Sequence, residues 1–211
     1  MSRAIFARKL GMTQVFTDAG KAVPVTVLGA PPCRVVRVKT DAQDGYQAAV
    51  VAIGTRRRVS RPVAGQTKAL GVIPERIREL RALDDSIEAG HELTVDQFQA
   101  GTLVDVSGLT RGKGFSGVIK RWNFRRGPMG HGSKYHRRTG SLGPRMSGGG
   151  GKVFRGRKMP GRYGHEQVTV QNLVVVAVHP DQQLILVQGA VPGPRGALLK
   201  ITDAIKGRVR A

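Results

Sequence analysis

The chain has 211 residues, 35 Lys and Arg against 14 Asp and Glu, and a formal net charge of +21. With 40% hydrophobic residues it can build a real core, so a wholly disordered chain is excluded. The single cysteine, Cys33, excludes an internal disulfide and a multi-cysteine zinc site and fits a reducing compartment, and no apolar run approaches a membrane span.

The start, Met1 to Leu10, lacks the apolar centre of a secretory signal; it is acid-free up to Asp18, which leaves an organellar transit peptide as the alternative. Thr13–Phe16, Ala22–Leu28 and Arg34–Lys39 are short and β-branched, with Gly20, Pro31 and Pro32 between them. They predict antiparallel strands. Asp44-Gly45 is a turn signal before a further strand, Tyr46–Ile53. A basic loop runs from Arg56-Arg57-Arg58 to Lys68, either a solvated charge run or an RNA contact. Pro74 suits a first helical position, and Ile73, Ile77 and Leu80 fall at i, i+4 and i+7, which predicts a helix. Thr94 and Gln97 have capping-box spacing for a second short helix ending near Gly101. Residues 73–100 therefore read as a small helical insertion, followed by a strand at Thr102–Val106.

From Val106 to His165 there are 60 residues with no Asp or Glu and 15 Lys and Arg. Like charge at this density repels itself, and a polyanion such as a nucleic-acid backbone is what neutralises it. Six of the ten aromatic residues also lie here (Phe115, Trp122, Phe124, Tyr135, Phe154 and Tyr163), which a solvated linker does not explain. Phe115–Lys120 predicts a strand at the entrance. Beyond Trp122 the glycine-rich stretch shows no sustained period and predicts irregular backbone, able to reach roughly 50 to 60 Å out and back if fully extended.

The predicted RNA contacts in this stretch are Lys113, Lys120, Arg121, Trp122, Arg125, Arg126, His131, Ser133, Lys134, His136, Arg137, Arg138, Arg145, Lys152, Arg155, Arg157, Lys158 and Arg162. Guanidinium forks grip phosphate through two hydrogen bonds and ammonium groups act as point charges. His131, Ser133 and His136 read as donors to phosphate or ribose oxygens. Trp122 reads as a ring stacked on a base or packed at the RNA surface, with a core position at the barrel edge as its plainer alternative.

The remainder is again apolar. Val168–Val178 and Leu184–Val187 predict strands around a turn at His179-Pro180-Asp181-Gln182, and a last strand lies near Ala197–Ile201 after the Val191-Pro192-Gly193-Pro194 loop. The tail, Lys206 to Arg210, is basic. Neither flanking zone alone has enough apolar strands to close a barrel. The predicted organisation is a β-barrel domain built from residues 1–107 and 166–211, interrupted by a basic extension over 108–165.

Other motifs fail on context. Gly112, Gly114 and Gly117 spell a dinucleotide fingerprint, but no helix pattern follows and no acid occurs before Glu166, so these glycines read as close approach of backbone to RNA. Ser147–Lys152 resembles a phosphate loop in composition only, with Met146 and Val153 at positions that need Gly and Ser/Thr. His131 and His136 lack a third metal ligand, and Ser133 with His131 lacks the acid that would orient a catalytic base. No cofactor, metal or small-molecule substrate is expected, and no membrane.

Several strings resemble, in order and over nearly the whole length, the bacterial form of the large-subunit ribosomal protein three family. They include Lys9-Leu10-Gly11-Met12-Thr13-Gln14-Val15-Phe16, Gly112-Lys113-Gly114-Phe115, His131-Gly132-Ser133, Gly140-Ser141-Leu142-Gly143, Val153-Phe154-Arg155-Gly156-Arg157-Lys158-Met159-Pro160-Gly161 and Val168-Thr169-Val170-Gln171-Asn172-Leu173. The resemblance implies a mainly β fold: a translation-factor-type β-barrel with a small helical insertion and a long irregular basic extension. It implies a non-enzymatic cytoplasmic constituent of the ribosome that binds large-subunit rRNA, acts early in assembly and sends its extension toward the peptidyl-transferase centre. It adds Lys9 to the rRNA contacts, and ribosomal proteins thirteen, fourteen and nineteen as neighbours. Some relatives carry a side-chain-methylated glutamine in the loop after the Gly-Ser-aliphatic-Gly string. Here Pro144 to Gly151 is longer and has no glutamine, so that modification is not expected. A general nucleic-acid-binding architectural protein is the alternative from charge alone. An RNA-acting enzyme would have to work without carboxylates.

Overall fold

The computed structural model describes residues 3–17, 19–81, 87–142 and 153–207. In chain order the elements are strands β1 (Ala4–Phe16), β2 (Ala22–Gly29) and β3 (Cys33–Lys39), helix α1 (Asp41–Asp44), β4 (Ala48–Ile53), helix α2 (Arg61–Gln66), β5 (Arg76–Leu80), β6 (Glu92–Leu93) and β7 (Leu103–Leu109). Then come β8 (Phe115–Ser116), helix α3 (Val118–Trp122), β9 (Gly161–Arg162), β10 (Gln167–His179), β11 (Leu184–Gln188) and β12 (Leu198–Asp203). The chain forms two units, one of Met1–Leu109 with Gln167–Ala211 and the other of Thr110–Glu166. Among the described residues no helix is long and apolar enough to cross a membrane.

In the first unit, strands β1, β12, β7, β10, β11 and β2 close in that order into an antiparallel barrel. Alternation along the strands drives closure, since side chains two apart share a face. Ile185 and Val187 of β11, Leu199 and Ile201 of β12 and Val104 and Val106 of β7 are all fully buried. β1 is long enough for two partners. Its first half pairs with β12 from Ala4 opposite Thr202 to Arg8 opposite Leu198, and its second half runs along β2 to Phe16 opposite Ala22. The register shift between Lys9 and Gly11 supplies the bend between the halves. A second shift in β10, between Val170 and Leu173, places Asn172 at φ 58°. Its amide is held by the buried Asp105 carboxylate at 2.9 Å, which also accepts the Ile205 amide at 3.4 Å.

A second sheet, ordered β5-β4-β3-β6, closes the core. Val35, Val51, Ile53, Leu80 and Leu93 join Ile5, Leu28, Ile185 and Leu199 in one apolar cluster. Each such side chain contributes about 1.5–3 kcal/mol through burial. Cys33 lies within this cluster, its thiol directed to the Pro31 carbonyl at 3.4 Å, and burial pushes its pKa up to about 11. It is therefore a small core side chain and not a reactive thiol.

Several expected elements differ. The helix anticipated from Pro74 is the edge strand β5, paired with β4 from Ala49 opposite Leu80 to Ile53 opposite Arg76. The 73, 77, 80 spacing is a coincidence. Only Leu80 is buried, Ile73 is exposed, and cross-strand pairing overrides the helical period. Arg76, Arg78 and Glu79 are the charges that keep such an edge from recruiting another strand. Thr94 and Gln97 bracket a single 3-10 turn, Val95–Gln97, with no side-chain cap on an amide; Thr94 bonds Asp96 instead, at 2.8 Å. Residues 73–100 thus hold no α-helix among those described, and the nearest one, α2, lies inside the stretch read as a basic loop. Phe115–Lys120 is strand only to Ser116 and then turns into α3.

Candidate nucleic-acid interface

The second unit has two short elements. β8 and β9 pair antiparallel, Phe115 opposite Arg162 and Ser116 opposite Gly161. Backbone bonds extend this ladder toward the ends of the unit: Lys113 N–H to the Tyr163 carbonyl at 2.8 Å, Tyr163 N–H to Gly114 at 2.9 Å, and Thr110 N–H to Glu166 at 2.9 Å. Gly164 makes the close approach possible. Its φ is +74°, and a Cβ there would overlap the Arg111 carbonyl.

Helix α3 follows, closed by Asn123 in the left-handed region at φ 58°, a position that suits asparagine. Arg121 and Trp122 both reach across to the returning chain. Trp122 Nε1 donates to the Met159 carbonyl at 2.9 Å, and Arg121 Nη1 donates to the same oxygen at 3.1 Å. The Arg121 guanidinium and the Lys158 ammonium lie 4.9 and 5.5 Å from the indole centroid. These contacts form a clasp that ties residues 118–123 to residues 158–161. Trp122 remains 37% exposed, so an indole edge is spent inside the chain while part of its surface stays open.

Past the clasp, described residues 123–142 and 153–160 contain neither helix nor strand, and among them no side chain is buried. They hold together through isolated contacts. Gly127 N–H bonds the His136 carbonyl at 3.0 Å, and a Cβ on Gly127 would strike the Tyr135 carbonyl. A His136 ring nitrogen lies 2.7 Å from the Ser133 carbonyl, and the Ser133 hydroxyl oxygen accepts the Tyr135 amide at 3.1 Å. His131 adopts φ 55°. Arg157 donates to the Ser141 carbonyl at 2.6 Å.

Lys113, Lys120, Arg125, Arg126, Lys134, Arg137, Arg138, Arg155, Arg157, Lys158 and Arg162 are exposed, as are His131 and His136; Arg121 and Ser133 are half-buried. Arg145 and Lys152, with the Gly143 to Lys152 loop, lie outside the described residues. Lys113 stands 4.2 Å over the Tyr163 ring. No described cation of this unit has an ion pair, whereas five in the other unit do. Lys9 belongs to the other unit. There its half-buried ammonium donates to the Val191 and Gly193 carbonyls at 3.0 and 3.2 Å and fastens the Pro-Gly loop. Sequence reasoning missed this loop anchor and the clasp at Met159, because both acceptors are backbone carbonyls and leave no side-chain signature.

Fifteen cations against one acid, Glu166, give the unit a formal charge of +14. Its chemistry is a long array of donors, and among the described residues no group of three or more metal ligands gathers. A family profile described as ribosomal protein L3 matches residues 63–183. Close relatives span the rest. A Carboxydothermus hydrogenoformans protein is 51% identical over 99% of this chain and 100% of its own length. A Heliobacterium modesticaldum protein is 50% identical over 98% and 99%, and one from Desulforudis audaxviator 50% over 98% of each. All three are named large ribosomal subunit protein uL3. The chain belongs to the ribosomal protein L3 family. It is accordingly a structural ribosomal protein, found with the cytoplasmic ribosome, and not an enzyme.

Proposed function

We propose that this protein is a structural constituent of the large ribosomal subunit that binds large-subunit rRNA directly through residues 108–165. The observation that carries this reading is the described arm's set of cations without a carboxylate partner. A polyanion supplies the missing countercharge, and rRNA is the polyanion a ribosomal protein meets. The clasp and ladder hold the base of the arm, and the exposed Arg and Lys beyond it bond phosphates. Recognition is mainly of RNA shape, because folded RNA exposes little base-edge code to a thin peptide.

The resemblance supports the finer placement: the barrel and arm form the rRNA-binding body, association is early in subunit assembly, the arm points toward the peptidyl-transferase centre, and proteins thirteen, fourteen and nineteen lie nearby. Sedimentation of the endogenous protein tests the main claim. It travels with the large subunit after a high-salt wash, and purified protein prefers large-subunit rRNA to duplex DNA at matched salt. Equal affinity for both at all salt concentrations would identify a general nucleic-acid-binding protein instead.

A further inference from the structure

Strand β1 outruns one of its two partners. β12 pairs with it only from Ala4 to Arg8, and the last bond on that side joins the Lys9 amide to the Ala197 carbonyl at 3.0 Å. From there to Phe16, opposite Ala22, β1 is held by β2 alone. Pro24 of β2 shows which backbone groups this leaves over. It has no N–H, and its carbonyl accepts the Gly189 amide at 2.9 Å, so its polar edge faces away from β1. Gln14 lies opposite Pro24 in a non-hydrogen-bonded pair, and Met12 and Phe16, two residues to either side, share that parity. The amides and carbonyls of Met12, Gln14 and Phe16 therefore point outward from the hairpin, and among the described residues none has a partner.

The open edges of the second sheet carry charges that oppose strand addition: Arg76, Arg78 and Glu79 on β5, Arg37 and Lys39 on β3. The β1 edge carries none. No residue from Leu10 to Thr17 is charged, nor is any in β2. Met12 and Phe16 stand on one face of the hairpin, 51% and 64% exposed, with Pro24 and Ala22 also exposed on that face. Alternating donors and acceptors beside an apolar face match a peptide strand. RNA does not match them: the edge has no cation for a phosphate, and a phosphate has no donor for the outward carbonyls. A second copy of the chain is opposed by the repulsion of two net charges of +21.

We propose that residues 11–16 of β1 are a docking edge for an extended segment of another polypeptide, which adds as a strand and covers Met12 and Phe16 with apolar side chains at alternate positions. The inference goes beyond rRNA binding and rests only on the reading of the chain as a large-subunit constituent.

The test uses purified large subunits containing the full-length T13C variant, labelled on the new thiol with benzophenone maleimide; the native Cys33 is buried and does not take the label. Ultraviolet light joins the label to a different polypeptide, in a product that survives nuclease. Adding Gln14→Pro removes an outward amide and no bond between β1 and β2, and lowers the yield about fivefold. M12K/F16K keeps every backbone bond, charges the apolar face and lowers the yield to a similar degree, whereas Gln14→Ala leaves it unchanged. In unlabelled wild type the Met12, Gln14 and Phe16 amides exchange fast in the free chain and slowly in the subunit. The proposal is overturned if the product is nuclease-sensitive, joins two copies of this chain or does not form, or if Gln14→Pro and M12K/F16K both give the full yield. Binding of the purified chain to large-subunit rRNA is the same in all these variants, so failure of the docking edge and failure of the rRNA reading appear in different measurements.

Discussion

The barrel unit pairs some of its cations with carboxylates, whereas among the described residues the arm pairs none. In the barrel unit five basic side chains reach carboxylates, and the apolar cluster beneath them excludes water. In the arm only Ser116 and Val118 are buried among the described residues, and its cations meet rings and carbonyls: Lys113 over Tyr163, Arg121 on Met159, Arg157 on Ser141. Carbonyls satisfy donors without cancelling charge. Surface ion pairs are worth about 0–1 kcal/mol each, so pairing is not what folds the barrel. The contrast teaches where each unit obtains its order: the barrel from its own core, the described arm from a few backbone clasps.

The largest effect separates the units by stability. Leu199→Ala removes a fully buried barrel side chain and costs about 2–5 kcal/mol in denaturant unfolding. The same truncation at exposed arm positions costs less than about 0.5 kcal/mol. Next, R125A/R126A/R137A/R138A leaves the melting temperature in place and flattens the salt dependence of rRNA binding by about three units. Loss of barrel stability in that variant would break the division between the units.

Gly164→Ala strikes the base of the arm. The left-handed backbone and the overlap with the Arg111 carbonyl together cost of the order of 1–3 kcal/mol locally. Amide exchange at Lys113 and Tyr163 accelerates, while barrel amides such as those of β11 are unchanged. Trp122→Phe removes the indole donor to Met159, worth about 1 kcal/mol, and weakens the ring's contacts with Arg121 and Lys158, so exchange rises at Arg121 and Asn123. Trp122 is the sole tryptophan, so fluorescence quenching in the wild type reports opening of this clasp directly.

The smallest effect is on pH. Hydrogen bonds from Lys39 and then Tyr46 hold the Glu79 carboxyl below the usual carboxylate range, and the bond to Glu79 and then that to Tyr46 hold Lys39 above the usual lysine range. The Glu79 contribution is full above the ordinary carboxylate pKa and is lost as pH falls through its lowered folded value. The Lys39 contribution is full below the ordinary lysine pKa and is lost as pH rises through its raised folded value. Glu79 is exposed and Lys39 is half-buried, and the pair is a single surface contact, so the melting temperature declines only slightly at these two extremes. Glu79→Gln abolishes the acid-side component, measured by thermal melts across pH.

Much of the barrel was legible because short apolar, β-branched runs between turn residues mark β2, β7, β10, β11 and β12, as they mark β3 of the second sheet. β1 was only half visible. Ala4–Ala7 is buried on both faces, so it shows no alternation, and the run is too short before Arg8 and Lys9 to read as a strand. β5 was misread because Ile73, Ile77 and Leu80 satisfy a helical period by chance, and pairing with β4 is a long-range fact. α3 was hidden by the β-branched Val118 and Ile119, which favour a strand until Asn123 caps the turn. The cations of the arm were legible one by one. Their clasp was not, since its acceptor is the carbonyl of Met159 and any residue offers one.

Amide hydrogen exchange on the full-length chain, free and bound to large-subunit rRNA, tests the division between the units most directly. In the free chain the barrel amides are protected, the amides of Lys113, Asn123 and Tyr163 show intermediate protection, and those of residues 124–142 exchange fast. Binding rRNA slows exchange across 124–142 and leaves the barrel core as it was. Strong protection of 124–142 before any RNA is added, unchanged by its addition, would contradict the account.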